Sequence, residues 1–240
     1  MRILIGTPFK DIASDNYIKS LVDMIIYTQR QGHEVKYVNE HGGLYDARDR
    51  ICAQTIKEKF DYMLQIDSDM TFPEDALCRM LDKNVDVITG VYVGKENHHK
   101  PVLFTELHKD DEVCGPYSRK HGLGELMKDE VFPVVGAGAG FLLVREHVLR
   151  IMRIHKHEWF RPYDGLGEDV SFCQRCNEMG ITIFADQSFP MGHIKFHEYT
   201  MEDWDGIEDE DIGGGSKYDK KRLGESLLAE ARVEDVGEEA

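Results

Sequence analysis

No stretch of the 240-residue chain approaches the roughly 18 consecutive apolar residues that a membrane-spanning helix requires, so no spanning segment is expected. The opening Met-Arg-Ile-Leu-Ile-Gly-Thr-Pro is too short an apolar run for a secretory signal and reads instead as a buried first strand, which points to a cytoplasmic protein. Basic residues are few. Against 45 Asp and Glu stand 29 Lys and Arg, a formal net charge of −16, and no basic stripe of the kind a nucleic-acid binder needs is present. The five cysteines are odd in number and scattered, which excludes a secreted disulfide framework. Cys173 and Cys176 alone have CxxC spacing; with no second pair, on a stretch that reads as helix, they are weighed as a structural pair against a zinc or redox pair. The two common glycine-rich phosphate signatures are also missing. The run from Gly136 to Gly140 lacks the Gly-Lys-Ser/Thr ending of a P-loop, and the first strand-to-helix turn lacks a full GxGxxG.

What is present is a globular composition, 41% hydrophobic and 10% aromatic, in a length suited to one buried domain. Residues 201–240 hold 14 acidic and 5 basic side chains, so the expected organisation is a catalytic-sized body over 1–200 and an acidic, partly flexible tail over 201–240. The tail carries the Gly213-Gly214-Gly215-Ser216 segment and an amphipathic pattern at Leu223, Leu227 and Leu228. In the body, residues 2–7 read as a strand. Ser14 or Asp15 caps a helix whose apolar positions Tyr17, Ile18, Leu21, Val22, Ile25 and Ile26 recur at helical spacing, and Gly32 ends it. A second strand over 35–38, a helix carrying Ile51, Cys52, Thr55, Ile56 and Phe60, and a third strand over 62–66 follow. That alternation predicts right-handed crossovers and a parallel sheet in an α/β fold. Thr71 to Glu74 match a capping box opening a helix through Leu81. Further strands are expected over 85–93, 101–107, 131–135, 141–144 and 181–185, with helices over 146–154 and from the Gly167-Glu168-Asp169 turn to Met179. Residues 108–130 show no clear period.

Four constellations carry chemistry. Asp67-Ser68-Asp69 directly follows the third strand, at the sheet edge where open α/β folds bind ligands. Two carboxylates one residue apart there suit a hard cation, Mg²⁺ or Mn²⁺, bound with phosphate oxygens; a solvated acidic turn capping the next helix is the plain alternative. Glu168 and Asp169 open a helix and offer a carboxylate as general base, or cap that helix and nothing more. His193, with His197 four residues on, offers a neutral imidazole to a mixed metal site, although most single histidines are surface or packing residues. Gly138 and Gly140 would let backbone amides approach a phosphate or sugar, or would form a tight turn between strands. Trp159, Phe160 and Tyr163 present flat faces for a sugar, or belong to the core.

In this order the elements resemble the GT-A glycosyltransferases, in particular family-2-like bacterial and phage-encoded members, over about residues 1–200. The resemblance rests on Thr7-Pro8, Ala47-Arg48-Asp49, Asp67-Ser68-Asp69-Met70, Gly138-Ala-Gly140-Phe141-Leu142, Gly167-Glu168-Asp169 with Phe172-Cys173, and Gly192-His193 after Asp186. It implies a Rossmann-like three-layer α/β/α sandwich with a mostly parallel central sheet. It also implies a metal-dependent transfer of sugar from a nucleotide-diphosphate donor, with UDP-sugar expected and GDP the alternative, to a hydroxyl acceptor. Thr7 and Pro8 would line the base pocket and Arg48 would help hold the nucleotide. Asp67, with Ser68 beside it, would face ribose or metal, Asp69 and His193 would ligate Mn²⁺ or Mg²⁺, and Asp169 would be the base of an inverting reaction with Glu168 shaping the acceptor site. Asp49 departs from the Asn often found after Ala-Arg, which touches on nucleotide contact and base choice.

Two rivals stand beside this reading. Asp67-Ser-Asp69-Met-Thr71 fits the DxDxT signature resembling haloacid-dehalogenase-type phosphatases, although those carry it on the first strand and here two strands precede it. A non-catalytic nucleotide-sugar-binding module would bind donor without turnover.

Overall fold

In the computed structural model, β1 (Arg2–Phe9) sends Ile3 and Ile5 to one face of a sheet and Leu4 to the other, all three fully buried. A strand covered on both faces reads as a continuous apolar run, which is why RILI shows no alternation. The described residues are 1–9, 13–94, 101–104, 106–108, 118–120, 129–155, 158–162 and 165–194, and Met1–Lys195 form one compact unit. The expectations for Tyr163, His197 and the acidic tail, and most of those for 108–130, lie outside the described residues.

After β1 come α1 (Asp15–Arg30), β2 (Glu34–His41), α2 (Leu44–Lys57) and β3 (Tyr62–Ile66), the rhythm read from the sequence. Ser14 is the N-cap of α1, its Oγ accepting the Tyr17 amide at 3.0 Å. There follow β4 (Met70–Thr71), α3 (Ala76–Asp82), β5 (Val87–Gly90), β6 (Leu103–Phe104), β7 (Glu106–His108), β8 (Ser118–Lys120), β9 (Val131–Val134), β10 (Gly136–Ala137), β11 (Phe141–Arg145), α4 (Glu146–Ile154), α5 (Glu168–Glu178), β12 (Ile183–Asp186) and β13 (Gly192–His193).

The main sheet runs β2-β1-β3-β11-β5-β12-β9. Five of these strands point one way; β11, inserted between β3 and β5, and β9 at the edge point the other. Tyr17, Leu21 and Met24 of α1 and Leu77 and Met80 of α3 pack on one face. Ile51 and Cys52 of α2, Val148 and Leu149 of α4, and Phe172, Cys173 and Cys176 of α5 pack on the other. The result is a three-layer α/β/α sandwich in which each fully buried Leu, Ile or Phe contributes about 1.5–3 kcal/mol of hydrophobic stabilisation.

Three expectations are corrected. Thr71–Glu74 do not form a capping box: Met70 and Thr71 pair with His193 and Gly192, the Phe72 amide reaches Ser20 Oγ, and the helix starts only at Ala76. The strand expected over 85–93 narrows to Val87–Gly90, and that over 101–107 breaks into β6 and β7. On α1, Ile18, Val22 and Ile26 are exposed, because Tyr17, Leu21, Met24 and Thr28 face the sheet.

Candidate functional site

The five residues of β3 are all buried, so the chain leaves the core at Asp67 with no freedom to slide. The Asp67 amide donates to the Gly140 carbonyl at 3.0 Å, and the Met70 amide returns to the Asp67 carbonyl at 3.2 Å, closing the turn. Met70 opposes His193 in the β4–β13 pair, and the Ile194 amide donates to the Asp69 carbonyl at 2.7 Å. Residues more than 120 positions apart are thereby brought together: His193 Nε2 lies 3.6 Å from Asp69 Oδ1. His193 Nδ1 lies 2.8 Å from the Val93 carbonyl oxygen. A carbonyl only accepts, so Nδ1 carries a proton and Nε2 is the ring nitrogen that faces Asp69. A backbone carbonyl accepting the proton of one ring nitrogen is a usual support of a histidine that ligates a metal through the other. Two donors on one cation at about 2.1 Å each would stand about 3–3.5 Å apart, close to the separation found. An O,N pair with coordination left for phosphate oxygens and water suits Mn²⁺.

Asp67 faces elsewhere. Its Oδ1 accepts from Arg48 Nη2 at 2.7 Å, and Arg48 is 2% exposed, with Nη1 donating to Gln65 Oε1 at 2.9 Å and to the Ala139 carbonyl at 3.3 Å. Arg48 Nε lies 3.7 Å from Glu168 Oε1. Burial acts to lower the Arg48 pKa, but Asp67, Glu168 and Asp169 outweigh it and hold the guanidinium charged. Arg48 lies buried beneath the site and holds Asp67. Among the described residues no group of three or more His, Cys, Asp or Glu side chains is placed to hold a metal; Asp69 and His193 face each other, while Asp67 is tied to Arg48.

Asp169 opens α5 beside Glu168, and its Oδ1 accepts the Val170 amide at 2.7 Å. Burial, and then the Glu168 charge, push the Asp169 pKa above the ordinary carboxylate value, outweighing the Val170 amide and Arg48, which act to lower it. A carboxylate held there is a stronger base than a solvated one.

The remaining candidates divide. Thr7 is fully buried with its hydroxyl 2.6 Å from Tyr17 Oη. Pro8 is the last residue but one of the same strand, opposite Glu40. Ser68 is partly exposed in the turn. The amides of Gly138 and Gly140 are spent within the protein, on the Val102 carbonyl and Tyr92 Oη, both at 3.0 Å. A Cβ at Gly138 would lie 2.0 Å from Tyr92 Oη, so close packing, not an anion cradle, accounts for these glycines. Asp49 points away from the site and accepts the Phe160 amide at 2.7 Å. Phe160 is fully buried and stacked on Phe172 with centroids 4.7 Å apart, and the Trp159 indole donates to the Leu149 carbonyl, so both serve the core side of the loop. Cys173 and Cys176 are both free and buried, and burial pushes the Cys173 thiol up to about 12 and the Cys176 thiol well above its usual value. The sequence reading missed Gln65 and Tyr92. Gln65 was signalled by being the one amide side chain in the buried strand YMLQI; Tyr92 had no local signal.

Among solved structures, A197 from STIV is similar in fold over 82% of this chain and 87% of its own, with 16% identity and a TM-score of 0.50. A mutant of Drosophila β-1,4-galactosyltransferase 7, in complex with manganese, UDP-Gal and xylobiose, aligns over 92% of this chain and 78% of its own at 15% identity and a TM-score of 0.48. GalNAc-T7 with UDP, GalNAc and Mn²⁺ aligns over 90% of this chain, which spans 46% of that protein, at 11% identity and a TM-score of 0.49. The fold shared with A197 is the three-layer α/β/α sandwich on a mostly parallel sheet described above. No family model and no curated protein matches the sequence. Among the described residues no helix is long and apolar enough to cross a membrane.

Proposed function

We propose that this chain is a metal-dependent glycosyltransferase that moves a sugar from a nucleoside-diphosphate donor, UDP-sugar expected, to a hydroxyl acceptor with inversion. The observation that carries this reading is the facing pair of Asp69 Oδ1 and His193 Nε2, 3.6 Å apart at the carboxyl end of β3, with the ring proton fixed on the far nitrogen by Val93. Asp69 and His193 would hold Mn²⁺ or Mg²⁺, which when bound supplies Lewis-acid stabilisation of the departing diphosphate. Asp67 spends one oxygen on Arg48 and has the other for the donor ribose or a bound water. Asp169, its basicity raised by burial and Glu168, takes the proton of the acceptor hydroxyl, and Glu168 borders the acceptor. A phosphatase would need Asp67 as nucleophile, yet that carboxylate is engaged by a buried guanidinium.

Thermal melting with Mn²⁺, UDP and GDP, singly and together, tests the binding half. Mn²⁺ with UDP raises the melting temperature beyond either alone, by about 2.7 kcal/mol of stability at a hundredfold excess over Kd. No metal-dependent shift with any nucleotide removes the assignment. Mass spectrometry for transferred hexose then separates an enzyme from a module that only binds, and phosphate release without nucleotide would point to the phosphatase.

A further inference from the structure

Tyr92 lies past the end of β5 and is 7% exposed, with its oxygen accepting the Gly140 amide at 3.0 Å. The carbonyl of that same Gly140 accepts the Asp67 amide at 3.0 Å, so the phenol is two hydrogen bonds from the backbone of Asp67. On its other side the Tyr92 ring meets the His193 ring edge-on, with centroids 5.3 Å apart and planes at 85°. The next carbonyl along the chain, that of Val93, takes the His193 Nδ1 proton. Tyr92 is itself braced, its carbonyl accepting the Val102 amide at 3.0 Å and Val93 bridging to Pro101. We infer that Tyr92 is a positioning residue that sets His193 and the Asp67–Asp69 turn in one frame, so that the separation of the two cation ligands is fixed before donor binds. Its phenol is kept protonated, since burial and then the Asp67 charge hold its pKa well above the usual value. The inference rests on Asp69 and His193 being the cation ligands.

The two contacts can be removed separately in the full-length chain. Tyr92→Phe keeps the ring against His193 and deletes the Gly140 acceptor; Tyr92→Leu deletes both. Electron paramagnetic resonance of bound Mn²⁺ detects a directly ligating imidazole nitrogen. Wild type and Tyr92→Phe are expected to show that coupling and Tyr92→Leu to lose it. Donor KM is expected to rise about tenfold in Tyr92→Phe and further in Tyr92→Leu, in line with other residues supporting metal ligands, while acceptor KM stays within about twofold. In the metal-free protein, long-range proton–nitrogen NMR is expected to show the Nδ1–H tautomer of His193 in wild type and Tyr92→Phe and a mixture in Tyr92→Leu. Should Tyr92→Leu not fold, the donor KM of Tyr92→Phe decides. Mn²⁺ affinity and donor KM within about twofold of wild type in every folded variant overturn the inference. If wild type binds no Mn²⁺ with nucleotide but the tautomer still shifts in Tyr92→Leu, the proposed function fails and the positioning role of Tyr92 stands.

Discussion

At Asp169 the structure sets basicity against stability. Its folded pKa is raised, so between the ordinary carboxylate value and the folded value the native state holds more protons than the unfolded chain, and stability falls as pH rises through that window. Above it the ionised carboxylate is a standing cost. Asp169→Asn is therefore expected to melt higher than wild type at neutral pH, with the gain shrinking as pH falls through the window, and to lose about 10²–10⁴-fold in transfer. Paired melts and rates at several pH values check both halves; unchanged turnover removes Asp169 from the base role. Arg48 shows the opposite balance, a single guanidinium among Asp67, Glu168 and Asp169. Replacing it by Met leaves those carboxylates uncompensated. Breaking a fully buried pair costs about 3–5 kcal/mol, and the partial exposure of Asp67 brings the expected loss to about 2–3 kcal/mol by urea denaturation. Asp69, His193 and Asp169 could be singled out as candidates because acidic and imidazole groups at element ends announce themselves in a sequence. Whether Arg48 points to ligand or to protein was not, because a buried arginine and a ligand-binding one look the same until the partner of Asp67 is known.

Elements meet where side-chain size permits. α2 crosses β1 at Gly6, where an added Cβ would lie 2.4 Å from Ile51 Cγ2. Gly6→Ala is expected to cost about 1–3 kcal/mol by overpacking, and Ile51→Ala, at a fully buried position, about 2–5 kcal/mol by cavity formation. Since each change relieves the other, the double variant is expected to lose less than the sum, with a coupling of about 0.5–3 kcal/mol in a denaturation cycle. Strict additivity would mean that the helix does not rest on Gly6. The first three strands and the helices between them were readable because each has its own period and stop signals: Ser14 at the start of α1, and Gly32 just past its end. Strand order was not. β11 is inserted antiparallel between β3 and β5, a pairing between residues about 80 and 55 positions apart that leaves no periodic trace. The capping box misled for the same reason: Thr71 was taken by Gly192, a partner far along the chain.

At the scale of the whole molecule the chain is acidic, with a formal net charge of −16 of which residues 201–240, with 14 acidic and 5 basic side chains, supply −9, and the proposed anionic donor would have to bind against that balance. Among the described site residues Arg48 is the one fixed cation, and it is already surrounded by carboxylates, so a nucleotide arriving without metal meets a repulsive field. Added salt screens that field, the Debye length falling from about 30 Å at 0.01 M to about 10 Å at 0.1 M. Metal-free UDP binding is accordingly expected to strengthen as salt rises. Mn²⁺ binding alone is expected to weaken over the same range, because screening removes the attraction that gathers cations. With both present the two dependences oppose, and the affinity of the Mn²⁺–UDP pair should vary least. Calorimetric titrations of each ligand and of the pair at 10 and 150 mM salt, about a fourfold change in Debye length, separate the three cases. Metal-free UDP binding that weakens with salt would reveal a cationic pocket that the described residues do not contain. The proposed cation would then not be needed for the chain to accept a diphosphate.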